Sequence, residues 1–271
     1  MTKMRVWRKP SSLSIVFIVL GTIILLFLFI PLLKTMFSCS PGALWDTLLR
    51  EEVYSSILLT IYAALVATLV GLFLGVPLAY ILARYEFRGK RFLEGFIDVP
   101  IVVPHTATGV ALLFVFGSNF FLGGLLNGVG LGFARSVTGI VFAMMFVSVP
   151  FLIDSAKEGF KSVDVRMEKV ARTLGASPWS SFFRVSLPLA WRSIFSGSVL
   201  MWARGFSEFG AVYIISYWVD FFGWRTMAAP VLVSHLFYQP GGWNAVLPVV
   251  VLLILIAFIA FGLARSVAYK R

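Results

Sequence analysis

Two stretches of this sequence place ionisable side chains inside otherwise apolar sequence, where a charge is costly and therefore informative. The first stretch holds a carboxylate, Asp98, an imidazole, His105, and a hydroxyl, Thr106. Pro100 and Pro104 lie between them and interrupt the helical hydrogen-bond ladder. These side chains either line a polar pathway, or Asp98 lies at a membrane interface and His105 bonds a neighbouring helix.

The second stretch, residues 202–211, contains Arg204, Ser207 and Glu208. In a continuous helix Arg204 and Glu208 are four residues apart on one face, so they can pair and reduce the cost of placing charge in a membrane. We expect this pair to face protein or water, either as a structural bond or at a translocation pathway or gate. Gly205 and Gly210 permit close backbone approach beside it.

Catalysis is the competing chemistry for these groups. Asp98, His105, Glu208 and His235 are the candidate reactive side chains, but the sequence contains neither H-E-x-x-H, G-x-S-x-G nor a Cys-His arrangement. The segment around Lys90 also lacks the first glycine and the hydroxyl residue of a phosphate-binding loop. We therefore expect no enzymatic activity, metal or cofactor on this chain.

The elements that must position these residues are membrane helices, because 59% of the 271 residues are hydrophobic and only 13% are charged. A bilayer core requires about 20 apolar residues per helix. Six segments approach this length, which predicts an all-α membrane protein: residues 12–33, 56–83, 95–117, 137–155, 192–218 and 245–265. Four or five spans are the alternative, because the third segment is interrupted and the fourth is short.

The net charge of +11 follows a pattern that predicts orientation. Most of the 23 Lys and Arg residues fall in residues 3–9, 84–91, 157–192 and 265–271. These regions alternate with the spans, so the positive-inside rule places both termini in the cytoplasm of a multi-pass plasma or inner membrane protein. The charges are divided among short loops without one basic face, and we expect no nucleic-acid partner.

A polar segment between the fourth and fifth spans has the features of a helical hairpin. Asp164 can cap a first helix, Gly175 lies where a left-handed C-cap belongs, and Ser177-Pro178 can begin a second helix. Each helix carries an apolar stripe that a hairpin this small cannot bury alone. The stripes comprise Met167, Val170, Ala171 and Leu174, then Trp179, Phe182 and Phe183.

This hairpin resembles the cytoplasmic coupling loop of ABC importer permeases, which docks on a separate ATPase subunit. Ala171, Gly175, Leu187 and Pro188 match the family pattern, and Val185 stands in for Ile. Lys169 and Val170 replace the usual Glu and first Ala, although Glu168 is adjacent. That departure affects one salt bridge expected with the ATPase. The resemblance assigns ATPase coupling to Glu168, Ala171, Arg172, Gly175, Leu187 and Pro188.

Three further runs resemble the permease subunit of tungstate and molybdate importers, which is similar to sulfate and thiosulfate permeases: residues 98–117, 146–160 and 202–211. This resemblance implies a homodimer with two ATPase subunits that carry ATP and Mg²⁺, and an extracytoplasmic oxyanion-binding protein. It also implies a first span that wraps the partner subunit. The pathway or gate candidates are Asp98, His105, Thr106, Arg204, Ser207 and Glu208.

The expected organisation is one permease domain over residues 1–271, with core spans in 56–265 and a coupling loop at about 156–191. The alternatives are a sulfate or thiosulfate permease and a secondary transporter that works without an ATPase. A secondary transporter often has inverted repeats, and the two halves of this sequence show no convincing repeat.

Overall fold

The computed structural model of the chain describes residues 11–269, which are mostly helical. The helices before the hairpin are α1 (Ser12–Met36), α2 (Pro41–Leu48), α3 (Glu51–Arg84), α4 (Lys90–Val102), α5 (His105–Phe116), α6 (Phe121–Gly128) and α7 (Val137–Ser162). The elements that follow are α8 (Val165–Thr173), α9 (Pro178–Ser181), a π segment (Phe182–Ser186), α10 (Leu187–Phe206), α11 (Gly210–Ile215), β1 (Val219–Phe221), β2 (Trp224–Thr226), α12 (Ala229–Phe237) and α13 (Gly242–Tyr269).

Within residues 11–269, four helices are long and apolar enough to cross a membrane: α1, α3, α7 and α13. Each contains one of the predicted spans, which confirms a multi-pass membrane protein. Helices α4 and α5 together pass the same test, but they are bent by 115°. The predicted single helix at residues 95–117 is therefore two helices, which form either a broken span or a re-entrant loop.

The bend between α4 and α5 follows from proline chemistry. Val103 precedes Pro104 and is extended, with ψ of 134°, because a residue before proline disfavours the helical region. Pro104 then precedes the first residue of α5. The expected interruption is confirmed at Pro104 but not at Pro100, which lies inside α4.

The predicted continuous span at residues 192–218 was wrong in one respect. Helix α10 ends at Phe206 and α11 begins at Gly210, so Glu208 lies in a break rather than inside a helix. The carboxylate of Glu208 accepts a hydrogen bond from the Ala211 N–H at 2.9 Å. A side chain that bonds the backbone in this way competes with helix continuation.

Helices α3, α7 and α10 form the centre of the bundle. Two glycines of α3 allow close approach of these helices, since Gly71 faces Met201 and Gly75 faces Ile153. A Cβ atom at Gly75 would lie 3.2 Å from Ile153 Cγ1. Small residues let membrane helices pack closely where lipid offers no hydrophobic drive.

The bundle has two ends with separate apolar cores. The hairpin end contains the last turns of α3 and α7, packed around Phe160 and Ile194. The β end contains a two-stranded antiparallel hairpin, an addition to the predicted all-α fold, in which Asp220 opposes Arg225. There Ser55 of α3 donates a hydrogen bond to Thr226 at 2.9 Å, which ties the β hairpin to the bundle.

Several basic residues used to predict orientation lie outside the described residues: Lys3, Arg5, Arg8, Lys9, Lys270 and Arg271. The placement of both termini in the cytoplasm therefore stays a prediction. The basic residues of the hairpin lie within the described part of the chain, on α8 and the π segment.

Candidate functional site

Two helix breaks meet in the bundle and bring three predicted residues together. His105 is the first residue of α5, Arg204 lies in the last turn of α10, and Glu208 lies between α10 and α11. We call these three residues the break cluster. The sequence identified each of them, and the structure shows that they form one group.

Arg204 is the centre of the break cluster. Its Nη2 lies 3.0 Å from Glu208 Oε2 and 2.6 Å from His105 Nε2. A guanidinium can only donate, so the imidazole accepts from Arg204 through its nearer nitrogen, Nε2. The other ring nitrogen, Nδ1, lies 3.7 Å from Glu208 Oε2 and 3.3 Å from Arg204 Nη2, so the imidazole contacts both charged side chains.

Burial divides the roles within the break cluster. The Glu208 side chain is fully buried, whereas those of Arg204 and His105 are 24% and 38% exposed. A buried carboxylate requires a partner, and Arg204 and the Ala211 N–H supply the compensation. Glu208 therefore holds Arg204 in place, while part of the guanidinium surface stays exposed.

The break cluster is held by unusually close packing of α5 against α11. A Cβ atom at Gly210 would lie 2.8 Å from His105 Cβ and 3.0 Å from Thr106 N. A Cβ atom at Gly109 would lie 2.8 Å from Ile214 Cβ. The two glycines thus let the two broken helices touch backbone to backbone beside Arg204.

The other predicted pathway residues divide into two groups. Thr106 and Ser207 are exposed next to the break cluster, and Ser207 Oγ donates to the Arg204 carbonyl at 3.1 Å. Asp98 lies instead beside Asp154 of α7, and one of its carboxylate oxygens is buried. Lys157 donates to Asp154 at 2.9 Å, so Asp98 belongs to an α4–α7 contact rather than to the break cluster.

The predicted hairpin folds as the sequence indicates. Asp164 accepts a hydrogen bond from the Arg166 N–H at 2.9 Å, and Ser177 caps the second helix through the Ser180 N–H at 3.1 Å. Gly175 has φ of +90°. Its N–H bonds the Arg172 carbonyl while the Ala176 N–H bonds the Ala171 carbonyl, which is a Schellman motif.

Glu168 faces the permease itself. Arg84 Nη2 lies 2.7 Å from Glu168 Oε1 with side chains only 7% and 12% exposed, and Tyr80 donates to Oε2 at 2.9 Å. Arg84 also donates to the Val163 carbonyl at 3.1 Å. These bonds fasten α8 to the end of α3. Reasoning from sequence missed Arg84 and Tyr80, although their four-residue spacing places both on one face of α3.

The outer face of the hairpin is apolar and uncovered in the single chain. Leu174 is 83% exposed and Trp179 is 73% exposed, and Met167, Val170 and Phe183 are also exposed. The remaining predicted coupling residues lie near this face: Arg172 and Pro188 are exposed, and Ala171 and Leu187 are half-buried. A contiguous exposed apolar surface of this kind marks an interaction site.

One helical run joins the hairpin to the break cluster. Helix α9, the π segment and α10 follow one another without a break, and the residues at both junctions have right-handed helical dihedrals. The run covers residues 178–206, about 43 Å at 1.5 Å per residue. The hairpin therefore connects directly to the turn that carries Arg204.

Nothing in residues 11–269 forms a group of three or more His, Cys, Asp or Glu side chains suited to a metal ion. The features of these residues are instead an ionic cluster at two helix breaks and an exposed apolar face on the hairpin.

Comparisons with known proteins relate the chain to membrane transport proteins. Residues 75–270 match the family described as binding-protein-dependent transport system inner membrane component. The chain is 39% identical over 259 residues to the molybdate/tungstate transport system permease protein WtpB of Pyrococcus furiosus, covering 95% of this chain and 96% of the relative.

A second relative is more distant. The chain is 32% identical over 219 residues to the probable sulfate transport system permease protein cysT of Chlorokybus atmophyticus, covering 81% of this chain and 76% of the relative. Among solved structures, a bacterial alginate ABC transporter in complex with alginate pentasaccharide-bound periplasmic protein aligns with a TM-score of 0.68. That alignment covers 94% of this chain and 93% of the other at 14% identity, so it supports the fold alone.

These relatives are permease subunits of transporters, which confirms the prediction of a transport subunit rather than an enzyme. The family match covers most of the chain, including α4 to α13, and the sequence similarity extends over nearly all of it. The chain belongs to the family of binding-protein-dependent transport system inner membrane components.

Proposed function

We propose that this chain is the membrane-spanning subunit of an ABC importer that carries molybdate or tungstate into the cytoplasm. The observation that carries the proposal is the 39% identity to a molybdate/tungstate permease over almost the full length of both chains. The partly exposed guanidinium of Arg204 at the helix breaks supports an anionic substrate. Sulfate is the second candidate, because sulfate permeases are related at 32% identity.

The proposed assembly follows the family. Two copies of the chain form a homodimer, two ABC ATPase subunits bind at the hairpin end, and an extracytoplasmic oxyanion-binding protein docks at the β end. ATP and Mg²⁺ bind on the ATPase subunits. Each copy is one permease domain over residues 1–271 with six passages through the membrane, counting the broken α4–α5 pair and the α10–α11 pair. Both termini and the hairpin then lie in the cytoplasm.

The proposed coupling surface is the outer face of the hairpin. Leu174, Trp179 and Phe183 are exposed in the single chain, and a docked ATPase subunit would cover them. Because Glu168 is held by Arg84 and Tyr80, its role is to fasten the hairpin to α3 rather than to bond the ATPase. Arg172 is exposed on the last turn of α8 and supplies the positive charge at this surface.

Transport is proposed to work through the helical run that joins the two sites. ATP-driven closure of the ATPase subunits moves the hairpins together, and the run from Pro178 to Phe206 transmits this motion to the break cluster. Since α5 touches α11 backbone to backbone at Gly109 and Gly210, the two broken helices move as one unit. Access to Arg204 then changes from one side of the membrane to the other.

The test is uptake into proteoliposomes that contain this chain with its ATPase and binding protein. We expect uptake of tungstate and molybdate that requires internal ATP and exceeds that of sulfate. A preference for sulfate would still support an ABC importer but would make sulfate its substrate. Uptake that proceeds without ATP and without the ATPase subunit would contradict the proposal and indicate a secondary transporter.

A further inference from the structure

A polar cavity of about 560 Å³ opens at the β end of the molecule, away from the break cluster. Its lining includes two arginines from separate elements, Arg135 before α7 and Arg225 on β2. Asp220 and Trp218 complete the polar wall, and Ile215 at the end of α11 forms part of its floor.

Arg135 is fixed to the end of α11 by its backbone. It has φ of +54°, which is uncommon for a residue other than glycine. Its N–H donates to the Ile215 carbonyl at 3.1 Å. Next to it, the Ser136 N–H donates to Ser216 Oγ at 3.2 Å and Ser216 Oγ donates to the Ser136 carbonyl at 3.1 Å. The backbone of Arg135 is therefore anchored while its side chain is exposed.

Arg225 reaches the cavity from the β hairpin. Its guanidinium carbon lies 5.8 Å from the centre of the Trp218 ring, a distance at which a cation is attracted to the aromatic face. Among residues 11–269, neither Arg135 nor Arg225 has a carboxylate oxygen within 4.0 Å. Both guanidinium groups therefore keep donors available, and with Asp220 the side chains lining the cavity carry a net charge of about +1.

We propose that this cavity is an outer binding site for the tetrahedral oxyanion, in which Arg135 and Arg225 receive the ion before it reaches Arg204. Planar guanidinium groups donate paired hydrogen bonds to tetrahedral oxyanions. Asp220 lowers the net positive charge of the cavity, which favours weak binding and fast release of the anion over tight binding. This inference rests on the proposed function, because it takes the substrate class from it.

The position of α11 connects this outer site to the break cluster. Helix α11 starts at Gly210, beside Glu208, and ends at Ile215, whose carbonyl holds Arg135. Its six residues span about 9 Å at 1.5 Å per residue. Helix α11 thus has the break cluster at its start and the backbone contact that holds Arg135 at its end, so one short helix links the two sites.

A labelling experiment tests the site without relying on transport. Asp220→Cys is combined with Cys39→Ala, so that this chain carries a single thiol at the cavity wall, and the variant is studied in the assembled complex. A negatively charged thiosulfonate then reports access to this thiol. We expect tungstate to slow labelling several-fold more than chloride of equal ionic strength, and Arg135→Gln with Arg225→Gln to abolish that protection. Equal effects of tungstate and chloride would overturn the proposal.

Uptake measurements on the same variants show whether the site serves transport. We expect the Arg135→Gln/Arg225→Gln double variant to lose roughly tenfold in tungstate uptake, a loss in the range of local electrostatic attraction. Its binding-protein-stimulated ATP hydrolysis should stay normal. The control is Arg50→Gln, an exposed arginine before α3 that does not line the cavity. Loss of stimulated hydrolysis together with uptake would assign the arginines to binding-protein docking and overturn the site.

The two measurements separate this inference from the proposed function. Protection of the thiol by tungstate in a complex that shows no ATP-dependent uptake would support the site and contradict the proposed function. A second result would contradict the outer site but leave the proposed function standing. In it, wild-type uptake is normal, tungstate does not protect the thiol, and the double variant takes up tungstate as well as the wild type.

Discussion

Replacing Gly210 by alanine tests the contact on which the break cluster depends. The new Cβ would lie 2.8 Å from His105 Cβ, 3.0 Å from Thr106 N and 3.1 Å from His105 C. Ordinary carbon contacts lie at about 3.5–4.0 Å, so the overlap with His105 Cβ is about 1 Å. Two of the three neighbours are backbone atoms, which cannot move out of the way by changing rotamer.

The expected cost follows from these distances. Overpacking of this kind costs about 1–3 kcal/mol, and the better helix propensity of alanine offsets at most about 1 kcal/mol of it. We therefore expect Gly210→Ala to lower the free energy of unfolding by about 1–2 kcal/mol. For a chain of this size that corresponds to a melting temperature lower by roughly 2–8 °C. Because α11 must move away from His105, tungstate uptake should fall as well.

The measurement is thermal unfolding of the purified protein in detergent, followed by tryptophan fluorescence, together with ATP-dependent uptake. Gly124→Ala is the matched control, because Gly124 also lies in a short helix but its Cβ would meet no atom within 4 Å. If Gly210→Ala and Gly124→Ala had the same stability and uptake, the close packing of α5 on α11 would not matter for this protein. A Gly109→Ala variant should behave like Gly210→Ala.

Three further predictions concern the charged contacts and the hairpin turn. Glu208→Gln should keep the ATPase bound but reduce uptake at least severalfold, since Arg204 loses its buried counter-charge. The control is Glu158→Gln, at a side chain that is 66% exposed, and unchanged uptake in both variants would contradict this role of Glu208. Gly175→Val should reduce co-purification of the ATPase, because a β-branched residue at φ of +90° costs roughly 1–2 kcal/mol; normal transport with bound ATPase would refute the coupling assignment. Glu168→Gln should lower the melting temperature, because it leaves Arg84 nearly buried without its partner; a melting temperature equal to that of the wild type would contradict it.

Local signals in the sequence predicted the hairpin well. Asp164, Gly175 and Ser177 act through their nearest neighbours, so their residue types are sufficient to indicate caps and a turn. The four long spans could be predicted equally well, because their apolar character is a property of each segment alone. The bend at Pro104 also follows from one residue type acting on the residue before it.

Contacts between distant segments could not be predicted in the same way. The pairing of Glu168 with Arg84 joins residues that are far apart in sequence, and their separate positions do not reveal that they meet. The end of α10 at Phe206 was missed because Arg204 and Glu208 fit a helical spacing as well as they fit the break. The break is accompanied by the Glu208 bond to the Ala211 N–H and by the packing of Gly210 against α5, a contact between distant segments that the spacing does not reveal.

The π segment between α9 and α10 has a genetic consequence. Its Leu187 N–H bonds the Phe182 carbonyl, five residues back, so the helical run contains one residue more than an α-helix needs there. Each residue of an α-helix turns the chain by about 100°. The wider turn absorbs the extra residue, so loss of one codon within 184–186 would leave the Leu187 N–H opposite the Phe182 carbonyl, now four residues back, with the hairpin and α10 in nearly the same relative orientation. Loss of one codon inside α10 meets no such wide turn and would rotate the hairpin by about 100° relative to the break cluster, so the π segment is the place where this helical run tolerates a change of length.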